Sequence, residues 1–141
     1  MRVVIIEDDP AAVKHLKKLL TTVKPHIGVC ASFDNVKDTV VWFENHEEPD
    51  MMFLDIQLAD GLGIEIFERI NVKWPVIFTI GYDEYVIFAL ESSDMDYLLK
   101  PVNAKELNAI LQQYSSLEQL NDPLYQKKLN TLLKQFNREC G

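Results

Sequence analysis

Residues 51–54, Met-Met-Phe-Leu, form an unbroken apolar run closed on both sides by aspartate, Asp50 and Asp55. A run this short with no polar face fits a strand covered on both sides, as in a parallel sheet. Comparable runs recur at residues 3–6, 27–31, 76–80 and 95–99. The stretches between them carry apolar residues at helical spacing. Pro10 suits the first turn of a helix with Asp9 as its N-cap, and Val13, Leu16, Leu20 and Val23 make its stripe. Pro25 stops that helix. Asp34 or Asn35 opens a second, striped by Val36, Val40 and Phe43, and Ile66, Phe67 and Ile70 mark a short third. A fourth spans residues 83–91, and a fifth starts near Ala104 and carries Leu107, Ile110, Leu111, Tyr114 and Leu117. Strand and helix thus alternate five times along the chain, which predicts an α/β fold: a parallel sheet wound with helices on both faces. A last helix, after the break at Asn121-Asp122-Pro123, shows Tyr125, Leu129, Leu132 and Phe136 at steps of four and three and stands outside that unit.

A chain of 141 residues with 48% apolar content is expected to be one domain with a core of its own. Its net charge of −8 argues against a grip on nucleic acid, which needs a basic face, and suits a site for a cation. No run approaches the roughly 18 apolar residues of a membrane span, so no membrane contact is expected. Cys30 and Cys140 form neither a zinc pattern nor a disulfide framework. Reduced thiols in a cytoplasmic protein are the simpler expectation.

In a parallel sheet all strands end on one side, and ligands bind at that edge. The residues that follow the first, third and fifth runs are Glu7 and Asp8, Asp55, and Lys100. Clustered carboxylates repel one another unless a cation intervenes or a carboxyl keeps its proton. An all-oxygen set of few protein groups, with room for water, suits Mg²⁺. The set reads as a magnesium site able to accept a phosphoryl group, with Lys100 free to pair with phosphoryl oxygens. Asp9 is read as a cap, not a ligand. His15, His26 and His46 have no metal-ligand spacing, and Gly61 and Gly63 are too few for a phosphate-cradling loop.

Ile-Ile-Glu-Asp-Asp-Pro at residues 5–10, Phe-Leu-Asp-Ile-Gln-Leu at 53–58 and Asp-Tyr-Leu-Leu-Lys-Pro at 96–101 come in that order, each at a strand end. Together they resemble the receiver domain of bacterial two-component response regulators, over about residues 1–117. Tyr-Asp-Glu-Tyr at 82–85, with residues 96–101, is similar to receivers of the LytTR class, in which a DNA-binding domain normally follows. The resemblance implies a flavodoxin-like, doubly wound five-stranded sheet of order 2-1-3-4-5 with an extra C-terminal helix. It implies a receiver over residues 1–120 and, over 121–141, a linker helix toward an output domain, so that DNA is met only through a domain not in this chain. A construction of this kind is either a fragment or a stand-alone receiver. Asp55 would be the phosphoacceptor, taking its phosphoryl group from a phosphohistidine of a sensor histidine kinase. Mg²⁺ would be held by Asp8 directly, by Glu7 mainly through a water, by Asp55 and by the backbone carbonyl of Gln57. Lys100 would neutralise the phosphoryl oxygens, its bond to Pro101 would be cis, and Tyr97 would be the aromatic switch residue. Such a domain is a signal-responsive switch whose association state controls transcription, not a turnover enzyme.

One position departs from that pattern. The family carries Thr or Ser at the end of the fourth strand, where the hydroxyl bonds the phosphoryl group; here alignment on Phe78 and on residues 82–85 puts Ile80 there. Thr79 is one residue early and, by alternation, points to the other face unless a bulge shifts it. Acceptor, metal ligands and lysine remain, so what Ile80 removes is the coupling to Tyr97. This motivates a second reading, an atypical receiver that dimerises or docks independently of phosphate. A third, a magnesium-dependent phosphohydrolase, lacks an acid two residues after Asp55, where Gln57 stands. The fourth helix, Tyr85-Val86-Ile87-Phe88-Ala89-Leu90, is apolar all round. It is either covered or presents Phe88 to a partner, and the resemblance implies a homodimer through helix four, strand five and helix five. The last helix is short for a free coiled coil. It folds back on the domain, extends the dimer or leads on to a further domain.

Overall fold

A computed structural model describes residues 1–114 and 123–140, with the side chains of 1–114 and 127–136. Strand β1 (Arg2–Ile6) leads into α1 (Pro10–Val23). The Asp9 carboxylate accepts the Ala11 N–H at 3.0 Å, and Pro10 sits where a missing N–H costs nothing. Then come β2 (Gly28–Phe33), α2 (Val36–Asn45) and β3 (Met51–Asp55). Asn35 caps α2 by accepting the Asp38 N–H at 2.7 Å. A small hairpin of β4 (Gln57–Leu58) and β5 (Gly61–Leu62) precedes a single 3-10 turn and α3 (Ile66–Arg69). The chain continues through β6 (Val76–Ile80), α4 (Glu84–Ser92), β7 (Tyr97–Leu99), α5 (Ala104–Gln113) and α6 (Pro123–Cys140).

Five strands make one parallel sheet in the order β2-β1-β3-β6-β7. Counted along the chain within that sheet, the order is the expected 2-1-3-4-5 of a flavodoxin-like α/β fold. The central strands read as continuous apolar runs because both faces are covered. Val3, Ile5, Met51, Phe53, Ile77 and Leu98 pack with Leu16 and Leu20 of α1 and Leu107 and Leu111 of α5. Their neighbours Val4, Ile6, Met52, Leu54, Val76, Phe78 and Ile80 turn to the opposite core, which α2, α3, α4 and α6 close.

Several boundaries differ from the sequence expectation. The second strand runs two residues further, to Phe33, because its pairing with β1 continues through Ile6. The fifth is only Tyr97–Leu99: the Met95 N–H bonds the Leu90 carbonyl at 3.0 Å and so belongs to the closure of α4. The expected loop after Asp55 contains the β4–β5 hairpin. Leu117 and the expected boundary at 120/121 lie outside the described residues, as does the side chain of Tyr125.

The last helix folds back on the domain. Leu129, Leu132 and Phe136 are buried in the core that contains Val86, Ala89 and Leu90 of α4. The Phe136 ring meets Tyr85 edge to face at 6.3 Å. At the rim, Gln135 Nε2 donates to Ser93 Oγ at 3.2 Å, and Lys128 pairs with Asp94 at 3.2 Å. Burial of each large apolar side chain contributes about 2 kcal/mol, which holds a helix with few other reasons to persist. The all-apolar α4 is thereby covered on one flank, while Tyr82, Tyr85, Phe88 and Leu99 stay exposed. Among the described residues no helix is long and apolar enough to cross a membrane.

Candidate functional site

Glu7 and Asp8 follow β1, Asp55 ends the neighbouring β3, and Lys100 follows β7. The Lys100 N–H bonds the Ile80 carbonyl at 2.7 Å, which sets the start of its side chain beside β6. From there its Nζ donates to Glu7 Oε1 at 2.9 Å and to Asp55 Oδ2 at 3.1 Å. Both carboxylates are about 5% exposed, whereas Asp8 lies open to solvent. One oxygen from each of Glu7, Asp8 and Asp55 lies within 4.8 Å of the others, so the triad is positioned to hold a divalent cation. The remaining Asp55 oxygen accepts the Gln57 N–H at 3.3 Å. A cavity of about 270 Å³ opens above the group, lined by Asp8, Asp55, Gln57, Ile80, Asp83 and Lys100 among others. The Lys100–Pro101 bond is cis.

One ammonium does not balance three acids. Burial, then the proximity of Asp55, push the Glu7 carboxyl up to about 7 against the pull of Lys100. Burial and the Asp55 charge raise Asp8 as well. Burial lowers Lys100, but Glu7 and Asp55 outweigh it and hold the ammonium above its ordinary value. Glu7 Oε2 is buried with no hydrogen-bond partner among the described residues. A buried carboxylate oxygen in that position is costly unless a proton or a cation meets it. The donor set is all carboxylate oxygen with a cavity wide enough for water, which fits Mg²⁺. Because an ion must displace the Glu7 proton, Mg²⁺ binding should strengthen about tenfold per pH unit below pH 7 and level off above it. Calorimetric titrations with MgCl₂ at pH 6, 7 and 8 measure this; a flat profile would mean that Glu7 is already ionised.

The two candidates at the end of β6 lie on different sides of the sheet. Ile80 is buried and lines the Asp55 cavity. Thr79 lines a second cavity on the α1–α5 side, with His15, Leu16 and Val102, which meets the acceptor site only through Glu7 and Lys100 and is not lined by Asp55. The register Phe78↔Tyr97, Thr79↔Leu98, Ile80↔Leu99 runs without a bulge, so nothing brings the Thr79 hydroxyl round to Asp55. Tyr97 is half-buried, and its hydroxyl donates to Glu91 of α4 at 2.6 Å.

Two supporting residues gave little sequence signal. The Gly63 N–H bonds the Ile56 carbonyl at 2.6 Å, and a Cβ at Gly63 would lie 2.2 Å from the Asp55 backbone oxygen. Asp60 accepts the Val36 and Lys37 N–H groups at 2.7 and 3.1 Å, bonds that hold its carboxyl below the usual range. It thereby ties the hairpin after Asp55 to the start of α2. Ala59-Asp60-Gly61 between Leu58 and Leu62 is a turn signal in the sequence, and the hairpin turns at Ala59-Asp60 with Leu58 paired to Gly61. The partner of Asp60 on α2 lies 24 residues away, and no spacing rule finds that.

The family model of the response regulator receiver domain matches residues 3–112. An uncharacterized response regulatory protein of Vibrio cholerae is 38% identical over 107 residues, which are 74% of this chain and 41% of that protein. The sensory transduction protein LytT of Bacillus anthracis is 32% identical over 122 residues, 84% of this chain and 49% of that protein. The chain thus spans about half the length, or less, of these curated relatives. Among solved structures, the response regulatory domain of protein mrkE from Klebsiella pneumoniae matches with a TM-score of 0.68 at 26% identity, covering 82% of this chain and 95% of that one.

Proposed function

This chain belongs to the response regulator receiver family, and from that premise we propose that it is a phosphorylatable switch with Asp55 as the acceptor. The observation that carries the reading is Lys100 Nζ held between buried Glu7 and Asp55 beside exposed Asp8, at the mouth of the cavity above β3. A carboxylate oxygen of Asp55 attacks the phosphorus of a phosphohistidine on a sensor kinase. The P–N bond breaks with its electron pair left on the imidazole, and an acyl phosphate forms. Mg²⁺, when bound, supplies neutralisation of the phosphoryl charge. Lys100 pairs with the transferred oxygens, and Glu7, Asp8 and the Gln57 carbonyl are the remaining ligand candidates. Gln57 offers no acid to protonate a leaving group, which favours a switch over a turnover enzyme.

Residues 1–120 are read as the receiver and 121–141 as the link toward an output domain of the LytTR kind, a reading the likeness to LytT supports. DNA contact and control of transcription would belong to that further domain, and the setting would be the cytoplasm. The exposed Tyr82, Tyr85, Phe88 and Leu99 favour a homodimer through α4, β7 and α5. Ile80 at the acceptor cavity, with Thr79 turned away, favours a second reading in which association does not depend on phosphate.

Treatment with a small acyl phosphate and Mg²⁺ tests both. Intact mass should rise by one phosphoryl group in the wild type and not in Asp55→Asn; no adduct in either sinks the acceptor assignment. An adduct without a change in association favours the second reading. Ile80→Thr should then make association phosphate-dependent, and if it does not, Ile80 is not the cause of the uncoupling.

A further inference from the structure

Helix α4 serves two places at once. The Tyr82–Asp83 segment that opens it, together with Val86, borders the Asp55 cavity. Its flank and far end seat α6, through Tyr85 on Phe136, Ser93 on Gln135 and Asp94 on Lys128. The helix is nine residues long and closed at both ends. The Asp83 carboxylate accepts the Tyr85 and Val86 N–H groups at 3.0 and 3.1 Å. At the other end Asp94 turns left-handed at φ 55°, and the Met95 N–H returns to the Leu90 carbonyl at 3.0 Å. The first turn and the seat of α6 are thus less than three helical turns apart on one continuous helix.

Resting on the acceptor role of Asp55 argued above, we propose that α6 is a latch in cis, seated on α4 while Asp55 is unmodified and released when Asp55 carries a phosphoryl group. The α4 side of the cavity has little to offer a phosphoryl group. Ile80 and Val86 are hydrocarbon, and the Tyr82 hydroxyl is directed at Glu84 at 3.4 Å. Asp83, whose carboxylate caps the helix, borders the cavity too, and its negative charge disfavours a phosphoryl dianion nearby. Attraction toward Lys100 on one side and repulsion from Asp83 on the other push the first turn of α4 outward, and Tyr85 with it. With no hydroxyl at position 80 to draw Tyr97 inward, and with the Tyr97 hydroxyl bonded to Glu91 of the same helix at 2.6 Å, α4 is the element through which the site reaches the surface. Release of α6 uncovers Leu129, Leu132 and Phe136 and the flank of α4 beneath them, next to the already exposed Phe88.

Two measurements on the full chain test this. The first follows hydrogen exchange of residues 127–136 with acetyl phosphate and Mg²⁺, with the adduct read by intact mass on the same sample. Exchange should quicken about fivefold or more in the wild type and stay unchanged in Asp55→Asn. The second uses reciprocity: if phosphoryl binding loosens α6, loosening α6 strengthens binding at Asp55 by the same factor. Leu132→Ala should bind beryllofluoride about fivefold or more tightly than the wild type. Lys128→Ala with Gln135→Ala leaves every buried apolar contact in place, and should shift affinity in the same direction by less. An adduct with unchanged exchange at 127–136, or wild-type beryllofluoride affinity in both variants, overturns the latch and leaves the acceptor role standing. No adduct at all overturns both.

Discussion

Lys100→Met is expected to destabilise the chain by about 3 kcal/mol at pH 8, and by clearly less at pH 5. The variant keeps the apolar stem and removes the ammonium that bridges Glu7 and Asp55 at 2.9 and 3.1 Å. Two buried carboxyls are then left facing each other. The pH dependence follows from Glu7, whose carboxyl is held at about 7 in the folded chain against 4.5 ordinarily. Between those values the native state holds a proton that the unfolded state has lost. In the absence of a divalent cation, wild-type stability therefore falls as pH rises through that window and levels off above it. Without Lys100 the carboxyl is pushed higher still, so the window widens and the loss at pH 8 grows. At pH 5 Glu7 is neutral in both proteins, so the loss is the ion pair with Asp55 and a hydrogen bond to an uncharged carboxyl. Urea unfolding at the two pH values, in chelator, measures the difference. Millimolar Mg²⁺ should recover part of the loss at pH 8. Equal losses at both pH values would mean that Lys100 acts through the packing of its stem and not through its charge.

Gly63→Ala should cost about 3 kcal/mol and cut the rate of phosphoryl acceptance by about 100-fold. The new methyl would meet the Asp55 backbone oxygen at 2.2 Å and Leu54 Cδ1 at 2.9 Å. A side-chain tip can swing aside, but the Asp55 carbonyl belongs to β3 and cannot move alone. The hairpin must lift or the end of β3 must shift, and a displacement of about 1 Å at the acceptor is enough for that loss of rate. Stability from urea unfolding and the rate of adduct formation with acetyl phosphate read the two effects separately. A variant as stable and as fast as the wild type would show that the Gly63 turn adapts without disturbing Asp55. Gly61→Ala is the instructive comparison. Its methyl would meet the Glu65 carboxylate at 2.9 Å, the far end of a flexible side chain, although the glycine's φ of 156° is one that L residues rarely adopt.

The apolar runs carried the sheet because a strand covered on both faces strongly disfavours polar residues, and that rule leaves its mark at Met51, Met52, Phe53 and Leu54, up to the functional Asp55 at the strand's end. The cap at Asp9 was legible for a similar reason, and that of the second helix was narrowed to Asp34 or Asn35, of which the structure uses Asn35; each cap binds an N–H within three residues of itself. The acidic cluster could be placed before any contact was seen, because parallel strands bring their ends to one edge whatever their order in the chain. Even the separation of Ile80 from Thr79 follows from the two-residue period of a strand, provided no bulge intervenes. The extents of the second and fifth strands were less accessible: they depend on partners rather than on local pattern. Met95 is as apolar as any strand residue, yet its N–H is used to close α4.

The order of residues alone thus settles the alternation, the parallel sheet and which side chains gather at its carboxyl edge, because these depend on period and chain direction. It also exposed the misfit of an all-apolar α4, without saying what resolves it. The folded chain alone shows that α6 lies on one flank of α4, that Asp60 ties the acceptor loop to α2, and that position 63 sits too near the Asp55 carbonyl for any Cβ. Those contacts join residues whose separations follow no repeat. Their geometry is fixed by shape and burial once the sheet exists, so no local pattern of residues records them.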